Sequence, residues 1–255
     1  MMQDVNARRC GMHSRWDYFL DWLIPMRCVV CDQTYSVLCA ACGDVLQSPE
    51  PACLGCAMPL PTTQPLTARC PQCFHMPLPL DDVHAALIYQ WPVNDLICRF
   101  KFHHDFACGR ILADIMANRA VNWSRPEAIV PIPLHPHRLR HRGYDQALLL
   151  ARSVAKRCHI PCRTLLDRTQ HTAPQSHLSA HARQKNVRGI FALHPQRHNI
   201  AYEHIALIDD VMTTGATVSA AARCLRQRGV ARVDAWICAR ALHSGDTVPS
   251  PLCQR

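Results

Sequence analysis

The chain has 255 residues, 49% of them hydrophobic, and a formal net charge of +9. This length suits one α/β domain with a small additional module, and the composition is that of a globular protein. Residues 1–11 are polar and lack the apolar core of a secretory signal, and no segment approaches the roughly 18 apolar residues of a membrane helix. We therefore expect a cytoplasmic protein without a membrane span, in which the 16 cysteines stay reduced.

The cysteines divide the chain, because eight of the 16 lie between positions 28 and 73. Before them, apolar residues at helical spacing in residues 16–24 indicate a short amphipathic helix. We predict four segments, which are an amphipathic helix segment in residues 1–27, a cysteine-rich module in residues 28–78, an α/β domain in residues 79–245 and a C-terminal tail in residues 246–255.

The cysteine-rich module contains four Cys-x₂-Cys pairs. Each pair can supply two thiolates to one tetrahedral ion, so four pairs predict two structural zinc sites, in a small double zinc-ribbon-like module. The simplest arrangement is sequential, with the first two Cys-x₂-Cys pairs at one ion and the last two at the other, and an interleaved arrangement stays open. Iron–sulfur clusters are the chief alternative to zinc. Two Zn(Cys)₄ sites of charge −2 each would lower the net charge to about +5. The predicted metal ligands are Cys28, Cys31, Cys39, Cys42, Cys53, Cys56, Cys70 and Cys73.

Beyond the cysteines, strand and helix patterns alternate along the chain. Strands are predicted at residues 83–89, 128–133, 164–167, 205–208 and 233–238, and helices at residues 93–102, 106–120, 144–157 and 216–228. Strands separated by helices indicate a mostly parallel sheet with helices on both faces. The polar residues 168–188 are predicted to form a long loop.

The sharpest motif occupies residues 205–217, where an apolar strand leads to Asp209 and Asp210 and then to a turn that opens a helix. Ligands of open α/β sheets bind at the carboxyl ends of the strands. The backbone N–H groups of such a turn, together with the helix dipole, form an anion site. The predicted phosphate-binding residues are Thr213, Thr214, Gly215, Ala216 and Thr217.

The alternative to a ligand site is a buried strand followed by a helix that Thr217 caps. This alternative explains the threonines but not two adjacent carboxylates, which repel each other unless a cation or hydroxyl groups meet them. The motif therefore favours a ligand with a phosphate at one end and vicinal hydroxyls that Asp209 and Asp210 bind directly or through Mg²⁺.

The string of residues 205–217 resembles the phosphoribosyl pyrophosphate signature of type I phosphoribosyltransferases. Residues 130–146, residues 172–191 and the Leu-Ile-Cys-Arg-Phe-Lys-Phe helix of residues 96–102 resemble the ComF/GntX family, as does the proline-cysteine entry at residues 25–31. That family joins a cysteine-rich zinc domain to a type I phosphoribosyltransferase fold, and the resemblance covers residues 16–240. It implies that Asp209 and Asp210 hold the ribose hydroxyls.

One departure from the family pattern lies at residues 142–146, where Arg-Gly-Tyr-Asp-Gln replaces the common Arg-Gly-Phe-Asn-Gln. The aspartate, Asp145, adds a negative charge that would pair with a nearby arginine or help to hold Mg²⁺.

Two arginines of the same segment, Arg138 and Arg142, suit a pyrophosphate because guanidinium groups donate in bidentate fashion to phosphate oxygens. The alternative is a solvated basic loop.

The long polar loop is predicted to close over the site as a lid, since departure of pyrophosphate leaves an oxocarbenium-like ribose that water would capture. A flexible connector without this function is the alternative. The predicted lid residues are Gln175, Arg183, Asn186 and Arg188.

The first functional hypothesis is a pentosyltransferase that moves a phosphoribosyl group from phosphoribosyl pyrophosphate to an unknown acceptor with Mg²⁺, with Asp209 and Asp210 as catalytic residues. The family's association with natural competence and with DNA as a nutrient implies a second hypothesis. It is a non-catalytic sensor of phosphoribosyl pyrophosphate or a nucleotide that serves DNA uptake, in contact with single-stranded DNA or DNA-uptake proteins. A third is a DNA-remodelling accessory that acts through the zinc module, although Arg69 is the only basic residue between Cys28 and Cys73.

Overall fold

The computed structural model describes residues 26–34, 36–63, 68–169, 190–194 and 201–242. The chain divides into two compact units, Met1–Gly43 and Asp44–Arg255. The later cysteine pairs thus fall in the same unit as the sheet, and the four segments predicted from composition stay a prediction. Several predicted features lie outside the described residues, namely the amphipathic helix of residues 16–24, the tail of residues 246–255 and the lid residues Gln175, Arg183, Asn186 and Arg188.

Six strands are described, and four of them form one sheet. The strands are β1 (Val83–Ile88), β2 (Ala128–Pro131), β3 (Leu166–Arg168), β4 (Phe191–Leu193), β5 (His204–Met212) and β6 (Arg232–Arg240). The sheet has the order β1-β6-β5-β2, and every neighbouring pair in it is parallel. Strands β3 and β4 form a separate antiparallel pair. The predicted α/β class with a mostly parallel sheet is confirmed.

Seven helices are described. They are α1 (Ala40–Asp44), α2 (Pro71–His75), α3 (Val93–Phe102), α4 (Phe106–Ala120), α5 (Pro136–Arg142), α6 (Gln146–Cys158) and α7 (Ala216–Arg226). Helix α4 packs against α6, and these two helices contact β1, β6, β5 and β2. Helix α7 contacts β4, β5 and β6. None of the helices in the described ranges combines the length and the apolar character that crossing a membrane requires.

The central strands are buried because helices and loops cover both of their faces. In β5, residues 205–208 have no solvent exposure, and in β6, residues 233, 235 and 237–239 have none either. One hydrophobic cluster joins alternate residues of β1, β5 and β6 to α7 and to three cysteines. These cysteines are Cys53, Cys56 and Cys73.

Local signals fix where several helices begin and end. The side chain of Asp105 caps α4 by accepting a hydrogen bond from the N–H of Cys108 at 3.2 Å. Helix α5 has Pro136 in its first turn and ends at Gly143, which has a left-handed φ of +77°. No helix was predicted for this segment, whose alternative interpretation was a solvated basic loop.

Strand β5 is longer than its apolar core. The sequence predicted that it ends at Ile208, but it stays paired with β6 as far as Met212. Asp209 and Asp210 therefore belong to the strand, at its carboxyl end, and the turn begins only at Thr213.

Candidate functional site

A cavity of about 270 Å³ opens at the carboxyl ends of β2 and β5. Its charged lining consists of Lys101, Arg138, Arg142, Arg168, Asp209 and Asp210. Four cations against two carboxylates leave an excess of positive charge, so the cavity suits an anionic ligand. Its volume and polar lining fit a ligand larger than a single phosphate ion.

The two carboxylates lie side by side in the cavity wall. The Nζ atom of Lys101 lies 2.9 Å from Oδ1 of Asp210, and both side chains are less than a fifth exposed. Burial, together with the charge of Asp210, raises the pKa of Asp209 to about 8. A single lysine therefore neutralises this pair only in part. Hydroxyl donors or a further cation would stabilise the charged form of both groups.

Lys101 and Arg168 are cavity residues to which the sequence analysis gave no role. Lys101 lies near the end of α3, within the helix that resembles the ComF/GntX family, and that resemblance was its only signal. The predicted polar loop begins at Arg168, but in the structure this residue belongs to β3, and its guanidinium lies 5.7 Å from the centre of the Phe191 ring.

The segment predicted to bind phosphate, residues 213–217 and called the phosphate loop below, follows the strand that carries the carboxylates. Gly215 adopts a φ of +77° and is the N-terminal cap residue of α7, and the hydroxyl of Thr214 accepts from the N–H of Ala216 at 3.4 Å. Thr217 lines the cavity and is not the cap. The first N–H groups of α7 lack intrahelical acceptors, as in every helix, and they suit an anion.

Gly215 is also held in a confined position. A Cβ atom on this residue would lie 2.8 Å from Cε of Met212 and 2.9 Å from Cδ1 of Leu78. An added Cβ would therefore displace the ends of the Met212 and Leu78 side chains, and the left-handed backbone itself favours glycine.

Helix α5 holds two arginines on the other side of the cavity. The Nη1 atom of Arg142 donates to Oε1 of Gln146 at 3.1 Å, and its guanidinium lies 4.7 Å from the centre of the Phe102 ring. Arg138 lines the same cavity. Burial lowers the pKa of Arg142, but an arginine stays charged at neutral pH. Arg142 is therefore an oriented group and not part of a solvated loop.

Asp145, the residue that departs from the family pattern, contacts backbone groups. One carboxylate oxygen accepts from the N–H of Leu148 at 3.0 Å and caps α6, and the other accepts from the N–H of Leu134 at 2.9 Å. Among the residues that the structure describes, no arginine forms an ion pair with it. Asp145 thus fastens the segment after β2 to the start of α6.

The eight cysteines predicted as ligands form two groups of four. The first cluster is Cys28, Cys31, Cys39 and Cys42, and the second cluster is Cys53, Cys56, Cys70 and Cys73. Within each cluster, all sulfur atoms lie within 4.8 Å of one another. The sequential pairing is the one that the structure brings together.

The sulfur geometry fits zinc. Zn–S bonds of about 2.3 Å in a tetrahedron place the sulfur atoms about 3.8 Å apart. The Sγ atoms of Cys31 and Cys39 are 3.7 Å apart, and those of Cys56 and Cys70 are 3.8 Å apart. The N–H groups of Cys70 and Gly55 also donate to Sγ of Cys53, at 3.1 and 3.3 Å, and such bonds stabilise a thiolate.

The described residues that were predicted to bind the phosphorylated ligand fall into two sets. The structure brings Arg138, Arg142, Asp209, Asp210 and Thr217 together around one cavity. The remaining loop residues, Thr213 to Ala216, connect β5 to α7 beside it.

Comparison with known proteins finds relatives over most of the chain. The chain is 33% identical over 226 residues to Competence protein F of Haemophilus influenzae, which covers 84% of this chain and 97% of that protein. It is 27% identical over 230 residues to DNA utilization protein YhgH of Escherichia coli (strain K12), covering 86% of this chain and 99% of that protein. It is 30% identical over 148 residues to Competence protein ComFC of Bacillus subtilis, with 56% and 57% of the two chains covered.

No family model matches the chain. Among solved structures, an adenine phosphoribosyltransferase from Leishmania donovani aligns with a TM-score of 0.32 and 10% identity over 65% of this chain and 90% of that chain. A glutamine phosphoribosylpyrophosphate amidotransferase from B. subtilis aligns with a TM-score of 0.35 and 17% identity, over 51% of this chain and 26% of that chain.

Proposed function

Because the chain belongs to the ComF/GntX family, we propose that it is a cytoplasmic phosphoribosyltransferase that binds phosphoribosyl pyrophosphate with Mg²⁺ and serves DNA uptake or utilisation. The family assignment rests on 33% identity across 97% of the Haemophilus influenzae protein. One observation supports the ligand. Asp209 and Asp210 lie between the phosphate loop and the arginines of α5, around a cavity with excess positive charge.

The three parts of phosphoribosyl pyrophosphate match three parts of the site. The 5′-phosphate would bind the phosphate loop and the start of α7. The ribose hydroxyls would donate to Asp209 and Asp210, and the pyrophosphate would accept from Arg138 and Arg142. Lys101 would supply a further cation beside the carboxylates, since it already pairs with Asp210 at 2.9 Å.

The carboxylates also fit Mg²⁺, because carboxylate and phosphate oxygens are the ligands that this ion prefers. When bound with the substrate, Mg²⁺ would neutralise charge on the pyrophosphate. In the transfer, the bond between C1′ and the pyrophosphate oxygen breaks, the acceptor forms a new bond to C1′, and the acceptor's proton passes to water. The pyrophosphate leaves with the electron pair, and Arg138 and Arg142 would stabilise its added charge.

Calorimetry with phosphoribosyl pyrophosphate, in the presence and absence of Mg²⁺, tests this proposal. We expect Mg²⁺-dependent binding by the native protein and its loss in the double variant Asp209→Asn/Asp210→Asn. The control, Asp44→Asn/Asp95→Asn, removes two carboxylates that do not line the cavity, and it should bind like the native protein. Absence of binding by folded native protein would refute the proposal.

A second activity, binding of single-stranded DNA, is favoured by the surface beside the cavity. Phe102 and Phe106 are 41% and 54% exposed, and the rings of Phe106 and Tyr144 lie 5.1 Å apart. Helix α5 contributes three arginines, Arg138, Arg140 and Arg142. Exposed aromatic rings next to guanidinium groups are the features on which nucleic-acid bases stack while phosphates are neutralised.

Fluorescence anisotropy with a labelled oligothymidylate tests this activity. We expect Phe106→Ala to weaken binding about tenfold, because stacking of one base contributes about 1–3 kcal/mol. We also expect affinity to fall with rising salt. The control is Phe74→Ala, which removes a 78% exposed ring from the cysteine segment, that is, from residues 28–78. If Phe74→Ala weakens binding and Phe106→Ala does not, the DNA surface lies on the cysteine segment instead.

A further inference from the structure

Arg240 is a buried cation at the end of β6, with only 6% of its surface exposed. Its Nε atom donates to the carbonyl oxygen of Cys56 at 2.7 Å, and its Nη1 atom donates to the carbonyl oxygen of Met212 at 3.0 Å. Cys56 belongs to the second cluster, and Met212 is the residue before the phosphate loop. One side chain therefore connects these two parts of the molecule.

The charge of Arg240 needs a counter-charge, because an isolated charge is costly to bury. Among the described residues, no carboxylate forms an ion pair with it. Burial lowers its pKa, and the nearby charges of Cys56, Cys73 and Cys53 act to raise it. Four thiolates around one Zn²⁺ carry a net charge of about −2, so the second cluster with zinc supplies the counter-charge.

The phosphate loop depends on the same contacts. The carbonyl of Met212 accepts from Arg240 and also from the N–H of Ala241 at 3.0 Å. Gly215 lies against the side chains of Met212 and of Leu78, which follows the second cluster in the chain. The start of the loop is thus fixed by Arg240, and its middle by Met212 and Leu78.

We propose that Arg240 is a positioning residue that couples zinc binding at the second cluster to the geometry of the phosphate loop. Without zinc, Arg240 loses its counter-charge and no longer holds the carbonyl of Met212. The loop then loses the fixed backbone that an anion site requires. This inference rests on the proposed function, because it assigns the loop to the 5′-phosphate.

Two probe ligands separate the loop from the rest of the cavity. Ribose 5-phosphate tests the phosphate loop, and pyrophosphate tests the arginines of α5. In calorimetry, we expect Arg240→Met to weaken ribose 5-phosphate binding about tenfold, as expected for loss of a charge-assisted hydrogen bond. Pyrophosphate affinity should stay within about twofold, and Arg240→Lys should retain part of the ribose 5-phosphate affinity.

General destabilisation would lower both affinities together, so equal losses would refute the coupling. Unchanged ribose 5-phosphate affinity in folded Arg240→Met would refute it as well. If the native protein binds neither probe, the proposed function itself fails, and this result is distinct from the other two.

Stepwise chelation of the native protein tests the same coupling without a substitution. Zinc release is followed with a coloured chelator, and both affinities are measured at each step. We expect ribose 5-phosphate binding to be lost with the zinc of the second cluster, before pyrophosphate binding is lost. Retention of ribose 5-phosphate binding after complete zinc removal would overturn the proposal.

Discussion

The two cysteine clusters each contain two Cys-x₂-Cys pairs, but their surroundings differ. In the first cluster only Cys28 is buried, Cys31 is exposed, and the cluster lies in the unit Met1–Gly43. In the second cluster three cysteines are at most 8% exposed and belong to the hydrophobic cluster that includes β5, β6 and α7. The second cluster is therefore part of the core that positions the phosphate loop.

This difference shows what a buried metal site needs from the protein around it. Water can solvate the charge of an exposed zinc–thiolate site, but a buried one requires donors and a counter-charge from the protein. In the second cluster, the N–H groups of Gly55 and Cys70 donate to Cys53 at 3.3 and 3.1 Å. Arg240 supplies a buried positive charge nearby. In the first cluster the N–H of Cys39 also donates to Cys28, at 3.5 Å, so the buried positive charge of Arg240 is the feature that distinguishes the second cluster.

The largest expected effect is a difference in how much protein stability is lost when one cysteine is removed from each cluster. Cys39 and Cys70 occupy equivalent places in their clusters and are both half-buried. Replacing Cys70 by Ser should cost the sheet-containing unit about 3 kcal/mol, since it removes a metal ligand from the core. In scanning calorimetry, this corresponds to a Tm lower by roughly 6–12 °C.

The matched variant Cys39→Ser provides the control. It should lose one zinc ion, measured by atomic emission, and leave the main unfolding transition within about 2 °C of the native value, as for a change outside the core. Equal shifts for the two variants would mean that the first cluster also supports the sheet, and the contrast between the clusters would then be wrong.

A smaller effect is expected at Gly215 of the phosphate loop, which lies against Leu78, a residue that follows the second cluster in the chain. In Gly215→Ala, the left-handed backbone costs about 1–2 kcal/mol, and the new methyl group overlaps with Met212 and Leu78. We expect ribose 5-phosphate affinity to fall about tenfold as the loop shifts. Calorimetry and chemical unfolding measure the two consequences.

Gly229→Ala isolates the backbone contribution, because Gly229 has a φ of +91° and nothing lies within 4 Å of the position of its Cβ. This variant should lose stability and keep its ribose 5-phosphate affinity. If both variants bind alike, contact with Leu78 does not position the loop, and the link between the second cluster and the loop is weaker than the distances indicate.

Sequence reasoning succeeded where the signal is local. The bounds of α3 and α4 were predicted as the structure has them, because the apolar periodicity of each helix is contained within its own residues. The carboxylate pair and the loop of residues 213–217 were recognised as one continuous string. Helix α5 was missed because its seven residues include none that is buried, so they carry no amphipathic pattern.

The missed site residues depend on contacts distant in sequence. Lys101 lies in α3 and acquires its role only through Asp210, which lies in strand β5. Arg240 is the last residue of an apolar strand pattern, and its acceptors lie in the cysteine segment and at the end of β5. No spacing rule relates such positions, so only the folded structure could reveal them.

The smallest expected effect concerns the side of the cavity that the second cluster does not support. There, the carboxylate of Asp145 accepts from two backbone N–H groups, one oxygen for each. Asparagine has one acceptor oxygen, so Asp145→Asn should keep the bond to Leu148 and lose the bond to Leu134, at a cost of about 1 kcal/mol. Asp145→Ala should lose both and cost about 2 kcal/mol. Chemical unfolding measures these costs. If the two variants are equally stable, the bond to Leu148 contributes nothing; if Asp145→Asn is as stable as the native protein, the segment after β2 is held by other contacts than Asp145.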